Sequence, residues 1–383
     1  DDPFHFLGGR SEVNCYFDTG SEISKDKKIF RNDVINLMED SFKYIWGNIR
    51  IGRVLREGGI AQPEYPEKLV REIINNALAH RDYSIDNFVT IAIEPEKWIE
   101  IKNPGSFKEK IKLVSDEGDI MIRRLLPGIP ESKNPKLAAV LKVFDKIESQ
   151  GRGMASLLNA ALDNQVDLPF YEIKDNIITL RVPAGKLLDD STEAWLAGFE
   201  HYLVQRLRGP VSDEMKMVLA YFYKSEILNR QRYFTILLSE SNNHFAVIDA
   251  LRKAELIYLH PASTDEAPVY LLDRVLMTID YTTEMLDLIG NEWLQLDPVA
   301  RLILNILYRN TKYNAAGLKA TQLTPEVYRR HLGKRIDAKK YESLGRKVRE
   351  ICIKFMEKGI LNRSASKAYT VNMEYRPVPN LLD

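Results

Sequence analysis

Apolar positions along this chain change their period several times, and each change marks an element. Between residues 65 and 84, Val70, Ile73, Ile74 and Ala77 fall in one sector when each residue advances by 100°, which predicts an amphipathic helix. Pro66 suits its first position, where no amide hydrogen is needed. Glu72, Asn76 and His80 stand at i, i+4 and i+8 and share a neighbouring stripe. That stripe is either a solvated face or one wall of a site. Strict alternation follows in 88–94 (FVTIAIE) and 98–102 (WIEIK), which predicts an antiparallel hairpin about the turn PEK. The second strand runs into Asn103-Pro104-Gly105, a tight-turn signal.

Residues 106–133 are charged and weakly periodic, the pattern of a long loop, and loops of that length are usually functional or disordered. Asn134 and Pro135 then open a helix with Leu137, Val140, Leu141 and Phe144 on its core side. Asn134 reads as a helix cap alone or as a member of a site. Gly151, Arg152, Gly153 and Met154 lead into a further helix with Leu157, Leu158, Ala161 and Leu162 on one side. Glycines before a helix N-terminus let backbone amides approach an anion. A hairpin of 170–174 and 177–182 around Asp175-Asn176 ends this region.

Upstream, 13–17 reads as a strand, 28–46 as a helix with Ile29, Val34, Leu37, Phe42 and Ile45 inward, and 51–64 as a connector. The C-terminal part shows two similar arrangements after a linker at 184–200. In the first, 212–223, a segment near 231–238, and 243–254 read as three helices before a hairpin of 256–260 and 269–272. In the second, 299–308, 325–332 and 339–358 are helices before a hairpin of 360–363 and 368–371. Three helices and a hairpin make a winged-helix pattern, so a tandem is predicted.

Lysine plus arginine and aspartate plus glutamate both number 54, so the net charge is zero and nucleic-acid binding needs a local patch. One such patch is 328–349. On its last helix Leu344, Val348, Ile351 and Phe355 form the apolar side, while Lys339, Arg346, Lys347 and Arg349 are the candidate contacts to double-stranded DNA. The alternative is a solvated charged helix. Two distant cysteines, Cys15 and Cys352, fit a reduced, cytoplasmic protein. No apolar run approaches the ~20 residues of a membrane span, and the start has no signal pattern; it reads like the middle of a longer chain.

The segments REIINNALAHRDYS, IEIKNPGSF, KNPKLA and GRGM, in this order, resemble the Bergerat-type (GHKL) ATP-binding fold. The closer resemblance is to the divergent ATPase module of bacterial RecG-like or Schlafen-AlbA-type transcriptional regulators, and it covers about residues 48–183. The resemblance implies an α+β chain. Residues 1–47 would be the remnant of an upstream domain with a connecting helix, and 48–186 an ATP-binding α/β sandwich. Residues 187–280 and 281–383 would be two winged-helix domains.

It also implies that Glu72 orients or deprotonates the attacking water and that Asn76 ligates Mg²⁺ bridging the phosphates of ATP. Asn103 and Gly105 stand where relatives bind adenine. An asparagine there offers an acceptor to the adenine amine and a donor to a ring nitrogen. His80, Asn134, Gly151, Arg152, Gly153 and Met154 complete the implied nucleotide site, and 106–150 would include its lid.

Three functions follow as expectations. The first is an ATP-binding transcriptional regulator whose nucleotide state changes DNA contact. The second is a Mg-dependent ATPase within a nucleic-acid-processing or defence assembly. The third, a scaffold without nucleotide, is disfavoured by Glu72. A homodimer is compatible with the first winged-helix segment. No GxxxxGK[ST] loop supports helicase activity.

Overall fold

The computed structural model describes residues 3–18, 25–49, 51–52, 62–115, 121–128, 133–147, 153–239, 244–278, 280–314, 317–332 and 337–377. The chain divides into two compact units. The first comprises 1–189, 217–249 and 259–271, and the second 190–216, 250–258 and 272–383. The stretch 187–280, expected as one domain, is therefore shared between the units.

A short helix α1 (Pro3–Leu7) precedes strands β1 (Glu12–Asp18) and β2 (Lys25–Arg31), which pair antiparallel. The helix predicted from residue 28 begins instead at Val34, as α2 (Val34–Asn48). Its cap explains the shift: Asp33 accepts hydrogen bonds from the amides of Ile35 (3.0 Å) and Asn36 (3.1 Å). The preceding KDKKIFR has no such cap and finds a strand partner in β1.

Strands β3 (Ile51–Gly52) and β4 (Gln62–Pro63) form a small pair before α3 (Glu67–His80), the predicted central helix. Then come β5 (Val89–Glu94), β6 (Trp98–Pro104), β7 (Lys112–Ser115), β8 (Ile122–Leu125), α4 (Pro135–Val143), α5 (Gly153–Leu162), β9 (Phe170–Lys174) and β10 (Ile177–Pro183).

Six strands form one mixed sheet in the order β2-β1-β5-β6-β10-β9. The β1–β5 pair is parallel, while β5–β6, β6–β10 and β10–β9 are antiparallel. Asp175 and Asn176 both have positive φ (50° and 59°), the geometry of the tight two-residue turn that their types favour. Alternation sorts the faces. Cys15, Ile91, Ile101, Leu180 and Tyr171 stand in one register row, and all are buried. Helices α2 and α3 cover this side, with α5 packed on α3. Residues 12–48 thus belong to the sheet and its helical layer, in place of the upstream remnant expected for 1–47.

The long predicted loop, 106–133, contains the β7–β8 hairpin. Its third strand comes from far along the chain. Beyond α6 (Asp190–Ala197), α7 (Glu200–Leu207) and α8 (Asp213–Arg230), strand β11 (Thr235–Ile236) runs parallel to β8. The middle helix predicted near 231–238 is this extended segment. Phe234 and Tyr171 exchange two backbone hydrogen bonds of 2.8 Å, so one short stretch meets both β9 and β8. Aromatic and β-branched residues beside two open strand edges favour pairing over a helix. Ile122, Leu237, Ala267 and Val269 close a small core there. Helix α9 (Phe245–Lys253) and strands β12 (Ile257–Leu259) and β13 (Tyr270–Leu272) follow as predicted.

In the second unit α10 (Arg274–Met277), α11 (Thr282–Ile289) and α12 (Glu292–Gln295) precede α13 (Pro298–Asn314), α14 (Ala320–Leu332) and α15 (Ala338–Glu357). Strands β14 (Leu361–Arg363) and β15 (Tyr369–Val371) pair antiparallel. Leu318, between α13 and α14, exchanges backbone hydrogen bonds of 3.0 and 2.9 Å with Tyr369, adding a strand-like bridge. Ile303, Leu307, Leu323, Val327, Val348 and Phe355 lie in one core cluster. Helix α6 packs on α14 and α7 on α13. Arg309 and Glu326, both buried, form a two-bond ion pair at 3.0 Å each. Among the described residues, no helix is long and apolar enough to cross a membrane.

Candidate functional site

Helix α3 is the spine of the site. Its C-cap residue, Arg81, has an extended backbone, and no glycine closes the helix. The last carbonyls must find partners elsewhere. Three side chains supply them. Asn103 donates to Ala77 O (2.9 Å), Tyr83 to Leu78 O (2.9 Å), and Asn134 to both Ala79 O and Arg81 O (2.9 Å each). Asn134 occupies the N-cap position of α4 but makes no capping bond there. Its amide serves α3, which corrects the expectation that it caps its own helix.

Asn103 is a polar residue in an apolar row. Strand β6 continues through Pro104, so the turn predicted at 103–105 begins at Gly105. Asn103 stands in register with Ile178 on the helix-facing side. It is 9% exposed, and its Oδ1 is buried without a hydrogen-bond partner among the described residues. A buried unpaired acceptor costs about 1–3 kcal/mol, which asks for an occupant. Nδ2 gives one of its two hydrogens to Ala77 O, which leaves Oδ1 as the open acceptor.

Asn76, the residue before Ala77 on α3, is half-buried and meets the start of α5. A Cβ placed on Gly153 would lie 2.3 Å from Asn76 Nδ2 and 3.1 Å from its Cγ. The helix entry therefore needs glycine because of Asn76. Met154 follows in the first turn of α5, half-buried. Gly151 and Arg152 lie outside the described residues. Glu72, a turn before Asn76, is half-buried. Its charge reaches Tyr171 of β9, whose phenol pKa is raised by burial first and by that carboxylate second. His80 is exposed by surface area, yet enough protein surrounds the ring to lower its pKa.

Gly105 has φ +132°, a conformation that other residues rarely adopt, and its amide donates to Asn176 O (2.8 Å). A Cβ there would lie 3.0 Å from Lys133 Nζ and 3.1 Å from Asp82 Cβ. These two form an ion pair of 3.1 Å beside Gly105. Hydrogen bonds from Ser84 and the nearby Lys133 bring the Asp82 carboxyl down to about 2. Neither Asp82 nor Lys133 is a candidate from the sequence; the signal was one charge of each sign inside two singled-out motifs, HRDYS and KNPKLA. Arg81 is fully buried and donates to four carbonyls, those of Gly9, Arg10, Ile85 and Asn87, which fixes the loop after α3.

The structure thus brings Asn76 to Gly153, Asn103 to the core of α3, and Gly105 and Asn134 to its end. A groove of about 660 Å³ borders Asn134, Tyr83 and Lys133, and its lining includes Pro3, Leu7 and Leu137 but not Glu72, Asn76 or Asn103. Among the described residues no group of three or more His, Cys, Asp or Glu is placed to hold a metal ion.

In the second unit Lys339, Arg346, Lys347 and Arg349 are all exposed on α15. Two carry acidic neighbours. Lys347 pairs with Asp297 at 3.5 Å, and Arg346 lies 3.9 Å from Glu342. The buried side of α15 comprises Leu344, Val348, Cys352 and Phe355. Cys352 replaces the predicted Ile351, which is half-buried.

No family model matches this chain. No curated protein matches it either. Among solved structures it is similar to the DIP2311 protein from Corynebacterium diphtheriae, with a TM-score of 0.44 and 15% identity over 71% of this chain and 53% of that one. The chain spans about half the length of that protein. At that level the likeness bears on neither fold nor activity.

Proposed function

We propose that this protein is an ATP-binding transcriptional regulator, with Mg·ATP held in a Bergerat-type domain and DNA contacted by a winged helix. The observation that carries the reading is the buried, unpartnered Oδ1 of Asn103, on the strand facing α3. A buried open acceptor suits the exocyclic amine of adenine, where guanine presents a carbonyl that cannot donate to it. The close approach of Gly153 to Asn76 fits the same reading, since it puts the amide proposed to ligate magnesium beside a helix N-terminus, where negative charge is favoured.

Asn76 would hold the metal, which when bound neutralises phosphate charge. Glu72 would orient water and take its proton. The work left to this chain is positioning and charge placement. In the second unit, the order α13, Leu318 bridge, α14, α15, β14–β15 supports the winged-helix reading, in which α15 would be the recognition helix. The first expected copy departs from that order at β11, so only the second is proposed to meet DNA.

Calorimetric titration of the full chain with ATP, GTP and Mg²⁺ tests the reading. ATP is expected to bind at least about ten-fold tighter than GTP, and Asn103→Leu is expected to abolish that preference. Equal binding of both nucleotides, or of neither, overturns it. Steady-state phosphate release with and without duplex DNA then separates a switch from a processing ATPase: negligible turnover supports the switch, and fast DNA-stimulated turnover supports the alternative.

A further inference from the structure

Among the described residues, the arginines Arg81, Arg124 and Arg309 are buried, and their charges are met differently. Arg309 gives both Nη atoms to the Glu326 carboxylate, and Arg81 gives both Nη atoms to backbone carbonyls. Arg124, on β8, is 3% exposed, and its Nη1 donates to Arg123 O (3.3 Å) and to Asn229 Oδ1. Both acceptors are neutral. Its Nη2 has no hydrogen-bond partner among the described residues. Asn229 has nothing left to offer. Its Oδ1 also accepts from the Arg123 amide (3.3 Å), and its Nδ2 donates to Arg123 O (3.1 Å) and Tyr233 O (2.9 Å). Burial pulls the Arg124 pKa down to about 10, opposed by Tyr221 and Glu226, so the guanidinium keeps its charge at neutral pH. A buried charge that touches no opposite charge is costly, and an open buried donor asks for an occupant.

Two hydroxyls nearby are in the same state. Ser225 of α8 and Thr235 of β11 are fully buried, and neither Oγ has a hydrogen-bond partner among the described residues. The backbone gathers them around Arg124. Thr235 is the register partner of Arg124 in the parallel β8–β11 pair, so both side chains stand on one face. The bond from Arg124 to Asn229 turns that face toward α8. On α8, Ser225 lies about 40° and Asn229 about 80° around the helix from Tyr221. The Tyr221 hydroxyl donates to Ile236 O of β11 (2.8 Å). Ser225 therefore sits between the α8 residues that bond to β11 and to β8. All of these residues belong to the first unit.

We propose that Arg124, Ser225 and Thr235 bind a small monovalent anion, with chloride as its ordinary occupant. Each of the three groups can donate, and none has another acceptor among the described residues. A halide accepts from all three at once and matches the guanidinium charge. A water accepts from two and leaves the charge unmatched. The three atoms are closed to solvent, which excludes a phosphate ester or any other large anion. Once bound, the ion joins β8, β11 and α8 at one centre. This site is separate from the nucleotide reading and does not rest on it.

The test uses the full chain without nucleotide. Thermal unfolding is followed as chloride replaces gluconate at one ionic strength, gluconate being too bulky for a closed site. The wild-type midpoint is expected to show a saturating rise of about 2–5 °C. Thr235→Val and Ser225→Ala each remove one donor with little change of shape, and both are expected to lose most of that rise. Arg124→Met removes the charge and its donors and is expected to lose all of it. In crystals soaked in bromide, anomalous scattering is expected at hydrogen-bond distance from the three groups. A midpoint indifferent to chloride, or no bromide between the groups, overturns the proposal in favour of water. A rise that all three variants keep overturns it as a general salt effect. If Arg124→Met does not fold, Thr235→Val and Ser225→Ala decide.

Discussion

Replacing Gly153 by alanine separates stability from ligand binding at one atom. The added methyl would lie 2.3 Å from Asn76 Nδ2, well inside van der Waals contact, so the Asn76 amide must turn away. Turning a short, half-buried amide off its rotamer costs about 0.5–1.5 kcal/mol. Alanine in the first turn of a helix returns about 0.4–1 kcal/mol by restricting the unfolded chain. The two nearly cancel, and unfolding free energy is expected to change by less than about 1 kcal/mol. Binding does not cancel. A displaced Asn76 loses its bond to a charged ligand, worth about 1.5–3 kcal/mol, so Mg·ATP affinity is expected to fall roughly ten- to hundred-fold. Thermal denaturation and calorimetric titration of the same preparation read both numbers. A well-folded Gly153→Ala protein that binds Mg·ATP like wild type would refute the placement of Asn76 at the phosphates. A loss of stability beyond about 3 kcal/mol would show that Asn76 is locked by packing, which argues for a structural role.

Other expectations follow from the same geometry. Glu326→Gln leaves the buried Arg309 charge without its carboxylate and should destabilise the second unit by about 3–5 kcal/mol in urea unfolding; a decrease under about 1 kcal/mol would mean that water reaches Arg309. Asp82 has a folded pKa of about 2 against 3.8 ordinarily, so its contribution is complete above pH ~4 and is lost as pH falls toward 2. The stability gap between wild type and Asp82→Asn should therefore close over that interval, and a gap that is flat with pH would reject the assignment. On α15, Arg349→Ala should weaken duplex DNA binding more than Lys347→Ala, because Lys347 already faces Asp297. Removing one cation from a phosphate should also lower the log–log salt slope by roughly 0.9. Equal effects, measured by fluorescence anisotropy over a salt series, would mean that α15 is not the DNA face.

Periodicity was enough for most elements. Helix α3, the β5–β6 and β9–β10 hairpins and the helices and hairpin of the last hundred residues lie close to where alternation and 3.6-residue spacing put them. Local turn chemistry was legible as well, as at Asp175-Asn176. The errors share one cause. KDKKIFR, Lys112–Ser115, Ile122–Leu125 and Thr235–Ile236 carry weak local preference, and each became a strand because a partner edge was available. For β11 that edge is more than a hundred residues away, on β8, and no window of sequence contains it.

The site divides in the same way. Glu72, Asn76 and His80 could be aligned from helix geometry alone, because one helix sets their relation. Asn103 could be singled out as an amide where the strand pattern calls for an apolar side chain. What it bonds to, and that its nitrogen rather than its oxygen is taken, depended on where α3 ends against β6. The same holds for Asn134 serving a helix other than its own and for Lys133 lying over Gly105. The chain by itself determined most of the elements and the chemistry each one carries, since spacing along a backbone is covalent information. Which groups were left with an open hydrogen bond, and therefore what they can bind, was decided only by tertiary packing, because satisfaction of a polar atom is settled by neighbours remote in sequence.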